Sequence, residues 1–519
     1  MVLIILDGWG VAPAGEGNAL SQAKPPFFNE LITKYPCLTL NASGSAVGLP
    51  AGAVGGSEVG HMVLGAGRAC PSGREQIKES IADGSFFKLP IWLQTFKQLK
   101  KYDSSLHLVG LLGDGQGQAD FNHLLALLEL AKRKKLTKVY IHCILDGRET
   151  PRANGLQYIN RLEQALADSG VGQIASLSGR FYALDRDRHW DRTEAAYKLL
   201  TEGAGERSGQ AAKAVKKSYE QKIYDEQFKP TVIVDKTNQP KGLIKDNDAV
   251  IFFNWLPDGI RQLARALAEP EFTGFKRTKP GNLQIITLSE YENGLPVKTV
   301  LAKKELKGTL GEVLAKAGLK QLRIAETEKY AHATYFFNGA REGAFSGEEH
   351  LLIPSPLTAN YSATPAMAAS AIVDAAEEKI NQAKYDFILI NLANADMVGH
   401  TGDLAATIKA AQAVDEALSR LLKKIIEVGG LALLTADHGN AEMMMDWQLG
   451  RVAKEHTANP VPFIIVGSKF EGYNLGMADA AVSDLSLLGP SGSLADVAPT
   501  ILKLLGIEQP ENMTGKSLL

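Results

Sequence analysis

The sequence predicts an α/β protein in which a second α/β domain is inserted into a metal-binding one. Three observations carry that expectation. Short apolar runs such as Val2–Leu6 and Phe387–Leu392 read as strands buried on both faces of a parallel sheet, and they alternate with helical stretches. Several of these runs end in aspartate, at the carboxyl end of a strand, where open α/β sheets bind ligands. The chemistry-bearing residues lie at the two ends of the chain: Asp7 and Ser57 near the start, carboxylate–histidine pairs in the last block, and an arginine-rich stretch between them. One site that collects both ends makes residues 1–72 and 304–519 one domain, with 73–303 inserted into it.

Length and composition agree with two cores. The chain has 519 residues, 45% of them hydrophobic. A formal charge of −2 gives no electrostatic case for nucleic acid or an anionic membrane. Cys37, Cys70 and Cys143, odd in number and widely spaced, make neither a disulfide framework nor a zinc knuckle, so a reduced, cytoplasmic compartment is expected. The apolar start is too short for a signal-peptide core, and no stretch is long enough to span a bilayer. The chain begins almost at its first strand, so a few residues of strand or tail are expected ahead of it. A monomer acting on a small molecule is expected.

In the first block, Val2–Leu6 runs into Asp7-Gly8-Trp9-Gly10, and Val54–Arg68 reads VGGSEVGHMVLGAGR. Glycines let a backbone turn sharply and approach a ligand closely, and a serine held on such a turn is presented as a nucleophile. A surface turn with an ordinary serine, and a turn aspartate at Asp7, explain the same letters, so a metal or a base elsewhere has to decide.

In the middle block, strands are expected at Leu106–Leu112, Val139–Leu145, Ile174–Leu177 and Ala249–Phe253, with a helix at Phe121–Lys132. Gly203 to Lys217, small and polar, reads as a surface helix or loop without function. Arg148, Arg180 and Arg186 each follow a strand or its turn. Converging arginines make a pocket for phosphate or carboxylate, whereas isolated ones are solvated charges. In the last block, Phe387–Leu392 is followed by Asp396 and His400, which face one site if the chain turns helical there. Leu431–Leu434 leads to Asp437 and His438, and His456 precedes the apolar run Val461–Val466. Aspartate with neutral histidine suits Mn²⁺ or Zn²⁺, and the carboxylates weight the choice toward Mn²⁺. Two such pairs and a further histidine predict a two-metal site.

These stretches resemble a known family. DGWG at Asp7–Gly10, GSEVGH at Gly56–His61, LDGRET at Leu145–Thr150, SGRFYALDRD at Ser178–Asp187, AETEKYAH at Ala325–His332, NADMVGH at Asn394–His400, TADHGN at Thr435–Asn440 and HTANPVPF from His456 recur in the cofactor-independent phosphoglycerate mutases of the alkaline phosphatase superfamily. The resemblance covers essentially the whole chain. It implies an alkaline-phosphatase-like metal domain and two Mn²⁺ ions, one on Asp396, His400 and His456, the other on Asp7, Ser57, Asp437 and His438. It also implies that Ser57 takes the phosphoryl group of 3-phosphoglycerate and returns it to the 2-hydroxyl, without bisphosphoglycerate. Lys329 would neutralise phosphoryl charge, Arg148, Arg180 and Arg186 would hold the glycerate while it reorients, and closure of the domains would exclude water.

The departures from the family's pattern fall on the substrate side. The loop that reads SDGGVHSH in the family reads GDGQGQAD at Gly113–Asp120, which puts Gln118 at the place of a substrate-binding histidine. Glu149 stands for the aspartate assigned to proton transfer. The segment FRPDR becomes Trp255-Leu256-Pro257-Asp258-Gly259, so Leu256 and Gly259 replace two arginines, and Gly56 replaces an asparagine. Two uncompensated charged hydrogen bonds cost about 3–6 kcal/mol, or on the order of 10²–10⁴ in kcat/KM. Arg261, close in sequence, is the expected compensator. An alternative is a related metal-dependent phosphomutase or phosphatase acting on another small phosphate ester. A catalytically silent binder of metal or metabolite is a third reading, disfavoured by the intact Ser57, Lys329 and ligand set.

Overall fold

The computed structural model describes residues 1–113, 118–301, 305–358, 360–446, 450–473 and 484–519. The expected turn residues Asp114 and Gly115 lie outside the described residues. The chain divides into two compact units, Met1–Ser72 with Lys304–Leu519, and Gly73–Lys303.

The first unit is built on an eight-stranded sheet in the order Glu348–Ile353, Gln321–Glu326, Phe387–Leu392, Val2–Leu6, Ala432–Thr435, Val461–Val466, Cys37–Asn41, Gly492–Ser493. The first five strands run parallel. Val461–Val466 is antiparallel to its neighbours on both sides. Val2–Leu6, Phe387–Leu392 and Val461–Val466 are buried at every residue, as strands covered on both faces must be. The register pairs Leu6 with Leu392 and Ile5 with Thr435. The carboxyl ends of three adjacent strands are therefore level, and the residues that follow them emerge at one edge.

The second unit has its own core and its own eight-stranded sheet, in the order Lys298–Leu301, Gln284–Ser289, Ala249–Phe252, Leu106–Leu111, Val139–Leu145, Gln173–Gly179, Thr231–Ile233, Glu206–Ser208. Only Thr231–Ile233 against Gln173–Gly179 is antiparallel. Within 203–217, Ala211–Glu220 is the surface helix expected there, burying only Ala211 and Val215. Glu206–Ser208 was not expected and is the edge strand of this sheet. A three-residue edge strand is too short to show a period of two. No helix among the described residues is long and apolar enough to cross a membrane.

The second sheet carries a polar chain through its interior. Ser176 Oγ lies 2.8 Å from His142 Nδ1, His142 Nε2 lies 2.9 Å from His107 Nδ1, and His107 Nε2 lies 3.1 Å from Asp248 Oδ2. One direction of donation satisfies every atom with both imidazoles neutral: hydroxyl to His142, His142 to His107, His107 to carboxylate. Burial lowers the pKa of both rings, outweighing the Asp248 carboxylate at His107, and His107 further disfavours a charge on His142. Neutral histidines in the fold and titratable ones in the unfolded chain mean that the unfolded state binds more protons as pH falls. Stability is full above about pH 7 and is lost below the unfolded value near 6.5. Urea titrations between pH 7.5 and 5.5 are expected to show a total loss of about 1.4 kcal/mol for each histidine over that range, and His142→Gln to remove one share. An unchanged loss in that variant would mean the chain is already protonated in the fold.

Candidate metal centre

The level strand ends put Asp7, Asp396 and Asp437 close together in the first unit. All three are almost completely buried. Asp7 directly follows its strand. Asp396 lies in the first turn of the helix Asn394–Gly399, with His400 as its C-cap, so the helical turn expected between them is present. Lys329 comes from the end of the neighbouring strand Gln321–Glu326, and its ammonium lies 2.5 Å from Asp7 Oδ1, 2.6 Å from Asp396 Oδ2 and 2.7 Å from Ser57 Oγ.

Ser57 is held differently from the tight turn expected for it. It is the first residue of the helix Ser57–Ala66, and Gly56 before it is extended, with φ −171°. The glycines serve close approach instead. A Cβ on Gly55 would lie 2.2 Å from the Ala42 carbonyl, and one on Gly60 would lie 2.5 Å from the Asp437 carbonyl. The helix can thus press its first turn against the aspartates. Ser57 Oγ is also 2.9 Å from His438 Nε2. Arg68 points elsewhere, to the carbonyls of Asn512 and Lys307.

The three histidines share one orientation. Nδ1 of His400 lies 2.6 Å from the Lys454 carbonyl, Nδ1 of His456 3.0 Å from the Gly55 carbonyl, and Nδ1 of His438 3.3 Å from the Gly439 carbonyl. A carbonyl accepts only, so each Nδ1 carries the proton and each Nε2 presents a lone pair inward. His400 Nε2 and His456 Nε2 are 3.0 Å apart, and each is 3.3 Å from Asp396 Oδ1. Two lone pairs at that distance, facing a carboxylate, require a positive charge between them. Ligand atoms of Asp396, His438 and His456, and of Asp7, Asp437 and His438, form two sets whose members lie within 4.8 Å of one another. His438 is thus within reach of both sets, where the sequence assigned it to one.

Charge balance points the same way. Burial and the Asp437 carboxylate push the pKa of Asp7 up, against the pull of Lys329. Burial also pushes on Asp396 and Asp437, but Lys329 and His438 outweigh it for the first, and His438 and His61 for the second, holding both below the usual carboxylate range. Lys329 is raised although burial opposes it, because Asp396, Asp7 and Asp437 surround it. Three carboxylates against one ammonium leave a water-excluded site short of positive charge, and leaving it so is costly. The donor set of carboxylates and backbone-locked imidazoles fits divalent cations of the Mn²⁺ or Zn²⁺ type.

Some of the centre was not assigned from the sequence. His61 Nδ1 lies 2.9 Å from the Ser57 carbonyl and 3.1 Å from Asp437 Oδ2. Asn391 Nδ2 donates to Asp7 Oδ2 at 2.8 Å, and Asn440 Nδ2 donates to Asp396 Oδ1 at 2.9 Å. Glu442 accepts from the backbone N–H groups of Gly10 and Asn440 and from the side chains of Asn459 and Thr457. Glu326, beside Lys329 in the chain, has a carboxyl raised to about 7 by burial. Two signals were legible: His61 stands one helical turn after Ser57, and Asn391 interrupts an apolar strand.

In the second unit, Gln118, Arg148, Glu149, Arg180 and Arg186 line one cavity of about 240 Å³. Arg180 bonds Asp146 and lies 3.2 Å from Glu149 Oε1, Arg148 Nε donates to Glu226 Oε1 at 2.5 Å, and Arg186 is exposed. Arg192, not singled out from the sequence, also lines it, lying over the Phe181 ring and 3.3 Å from Asp185. Arg261 is not among the lining residues, and its guanidinium lies 3.7 Å from Asp258. The compensation expected of it is therefore not made at this cavity.

The model of the Metalloenzyme superfamily matches residues 1–509. A 2,3-bisphosphoglycerate-independent phosphoglycerate mutase of Moorella thermoacetica is 45% identical over 522 residues, covering 100% of this chain and 98% of the relative. Another, from Methanosarcina acetivorans, is 46% identical over 520 residues with the same coverage of both chains. The chain belongs to the 2,3-bisphosphoglycerate-independent phosphoglycerate mutase family. A crystal structure of Leishmania mexicana phosphoglycerate mutase at low cobalt concentration is similar, with 30% identity and a TM-score of 0.66 over 99% of this chain and 96% of that one. The protein is accordingly an isomerase, an intramolecular phosphotransferase, on an alkaline-phosphatase-like α/β fold, and it is a metalloenzyme.

Cations that bind the folded site alone must stabilise the fold. At Mn²⁺ a hundredfold above its Kd, the unfolding free energy is expected to rise by about 2.7 kcal/mol for each site. Isothermal titration is expected to give two sites in the wild type and weakened binding in Asp396→Asn. A wild-type titration with no more than weak, non-stoichiometric heat would remove the metal centre.

Proposed function

We propose that the enzyme interconverts 3-phosphoglycerate and 2-phosphoglycerate through a phosphoserine on Ser57, with two Mn²⁺ ions and without bisphosphoglycerate, in the cytoplasm. The metal-binding domain is 1–72 with 304–519, and the inserted domain, 73–303, binds substrate. The observation that carries the reading is the setting of Ser57 Oγ, 2.7 Å from the Lys329 ammonium and 2.9 Å from His438 Nε2 at the start of a helix. A hydroxyl so placed has a cation to stabilise its alkoxide and the N-terminal end of a helix dipole beneath it.

Asp7, Ser57, Asp437 and His438 would hold one ion, and Asp396, His400 and His456 the other. When bound, the ions would supply Lewis-acid stabilisation of oxygen charge. Ser57 Oγ, as the alkoxide beside Lys329, attacks phosphorus as the bond from phosphorus to the glycerate 3-oxygen breaks, and that oxygen takes up a proton from the Glu149 carboxyl. In the second half the 2-hydroxyl gives up its proton, attacks phosphorus, and releases Ser57. Lys329 offsets phosphoryl charge in both halves. Glu149 carries the proton between the two glycerate oxygens, so the exchange balances. Arg148, Arg180 and Arg186, with Gln118, hold the glycerate, and exclusion of water keeps the phosphoserine from hydrolysing.

A second reading, a phosphomutase or phosphatase for a different small ester, has one observation in its favour. The four arginines lining the cavity of the inserted unit are matched by Glu149, Asp185, Asp187 and Glu226, so an anion entering it meets no net positive charge. The deciding assay supplies Mn²⁺ and 3-phosphoglycerate and follows 2-phosphoglycerate and free phosphate together. Isomerisation is expected, falling at least about 10⁴-fold in Ser57→Ala, since Ser57 is the hydroxyl bonded to both Lys329 and His438 among the described residues. Phosphate release without 2-phosphoglycerate would favour the second reading, and isomerisation retained in the variant would eliminate the phosphoserine.

A further inference from the structure

At one edge of the inserted unit's sheet, a second cavity lies between the edge strand Glu206–Ser208 and the helix Ala211–Glu220. Its volume is about 240 Å³, the same as that of the arginine cavity, and the two share no lining residue. Lys213 and Lys217, one turn apart, line it from the helix. Arg207 joins them from the edge strand, and Lys229 from the segment that leads into Thr231–Ile233. Glu206 is the one carboxylate among the lining residues.

The arginine cavity matches its cations with acids; this one does not. The Lys229 ammonium lies 3.7 Å from Glu206 Oε1, and both side chains are half exposed, which makes a weak pair. Lys213 and Lys217 enter no ion pair among the described residues. The neutral donors are largely spent: the hydroxyls of Ser208, Ser218 and Thr231 each donate to a backbone carbonyl at 2.8 Å. What the cavity offers a ligand is therefore positive charge. Ala214, Ile223 and Phe228 add an apolar wall. At Gly209 no atom lies within 4 Å of where a Cβ would be, so that side stays open. A cleft with low-dielectric walls focuses the field of its charges and concentrates the counter-ion that matches them.

We propose that this cavity is a binding site for a small multivalent phosphate anion, separate from the arginine cavity. Its lysines meet phosphate oxygens as point charges, and the apolar wall takes the organic part where the ligand is an ester. A monoanion would leave most of the surplus charge unmatched, whereas two linked phosphates match it. The surplus is local, since the whole chain carries a formal charge of −2, so the field favours a small anion over a nucleic-acid strand. The volume is also at the small end for a ligand pocket.

The test is calorimetric titration of the Mn²⁺-loaded full chain with inorganic pyrophosphate and, in a second arm, with adenosine diphosphate. Metal content is measured before and after, so that stripping of Mn²⁺ is detected. The wild type is expected to bind through this cavity, with affinity falling as NaCl rises from about 50 to about 300 mM, because exposed charges are screened. Lys213→Ala with Lys217→Ala is expected to weaken that binding by about tenfold or more, with the melting curve and isomerisation unchanged. Lys213→Arg with Lys217→Arg, which keeps the charges, is expected to retain it, and Lys229→Gln, outside the helix, to weaken it independently. Tighter binding of adenosine diphosphate assigns the ligand to the phosphate esters; equal or tighter binding of pyrophosphate assigns it to the free anion. Titrations that do not differ between the wild type and the alanine variant overturn the proposal, as does binding that salt leaves unchanged.

Discussion

The first unit depends on a charge constraint. Three aspartates stand at the level ends of adjacent parallel strands, all buried, with one ammonium among them. Carboxylates gathered this way repel one another and have lost water, so only a compact positive charge makes the arrangement tenable. Lys329 supplies one unit and bridges Asp7 and Asp396 directly. Its geometry ties the strand Gln321–Glu326 to the same edge as the strands that carry the acids.

Close packing around the charges follows from that constraint. The Gly8 backbone lies so near Asp396 that a Cβ would fall 2.7 Å from its Cα, and φ at Gly8 is +73°. Gly8 therefore needs glycine for both conformation and space. Gly60 meets the Asp437 backbone in the same manner, and a Cβ on Gly399 would fall 2.5 Å from Asn440 Oδ1. The glycines let the segments converge until the acids share ligands. The surrounding amides and His61 then fix which oxygen points inward.

Much of this centre was legible because it is written in short local units. A strand end followed by Asp, or by Asp-His, states both the position and the chemistry, and apart from His456, which precedes a strand, the proposed ligands of the first unit follow a strand end or open the helix beginning at Ser57. What escaped was the support. Asn391 and Asn440 act across the sheet, through partners 384 and 44 residues away, and no local pattern announces a contact of that kind. The glycines beside Ser57 were legible as a motif but misread in purpose, since sequence does not distinguish a turn from a close approach. In the inserted unit four strands were legible to within a residue or two, while Gln284–Ser289, Lys298–Leu301, Thr231–Ile233 and Glu206–Ser208 were not read. The state of the arginines was not: Arg148 and Arg180 are engaged by Glu226, Asp146 and Glu149, acids whose pairing depends on the fold.

The two clusters therefore differ in how much change they tolerate. In the first unit, changing one buried carboxylate shifts a charge balance that water cannot reset, and Asp7, Asp396 and Asp437 are each held by an amide or by Lys329. In the inserted unit, arginines and acids balance one another beside solvent, so losing one member leaves a partner that water can serve. A neutral residue such as Leu256 or Gly259 is accommodated there without a buried ion left alone.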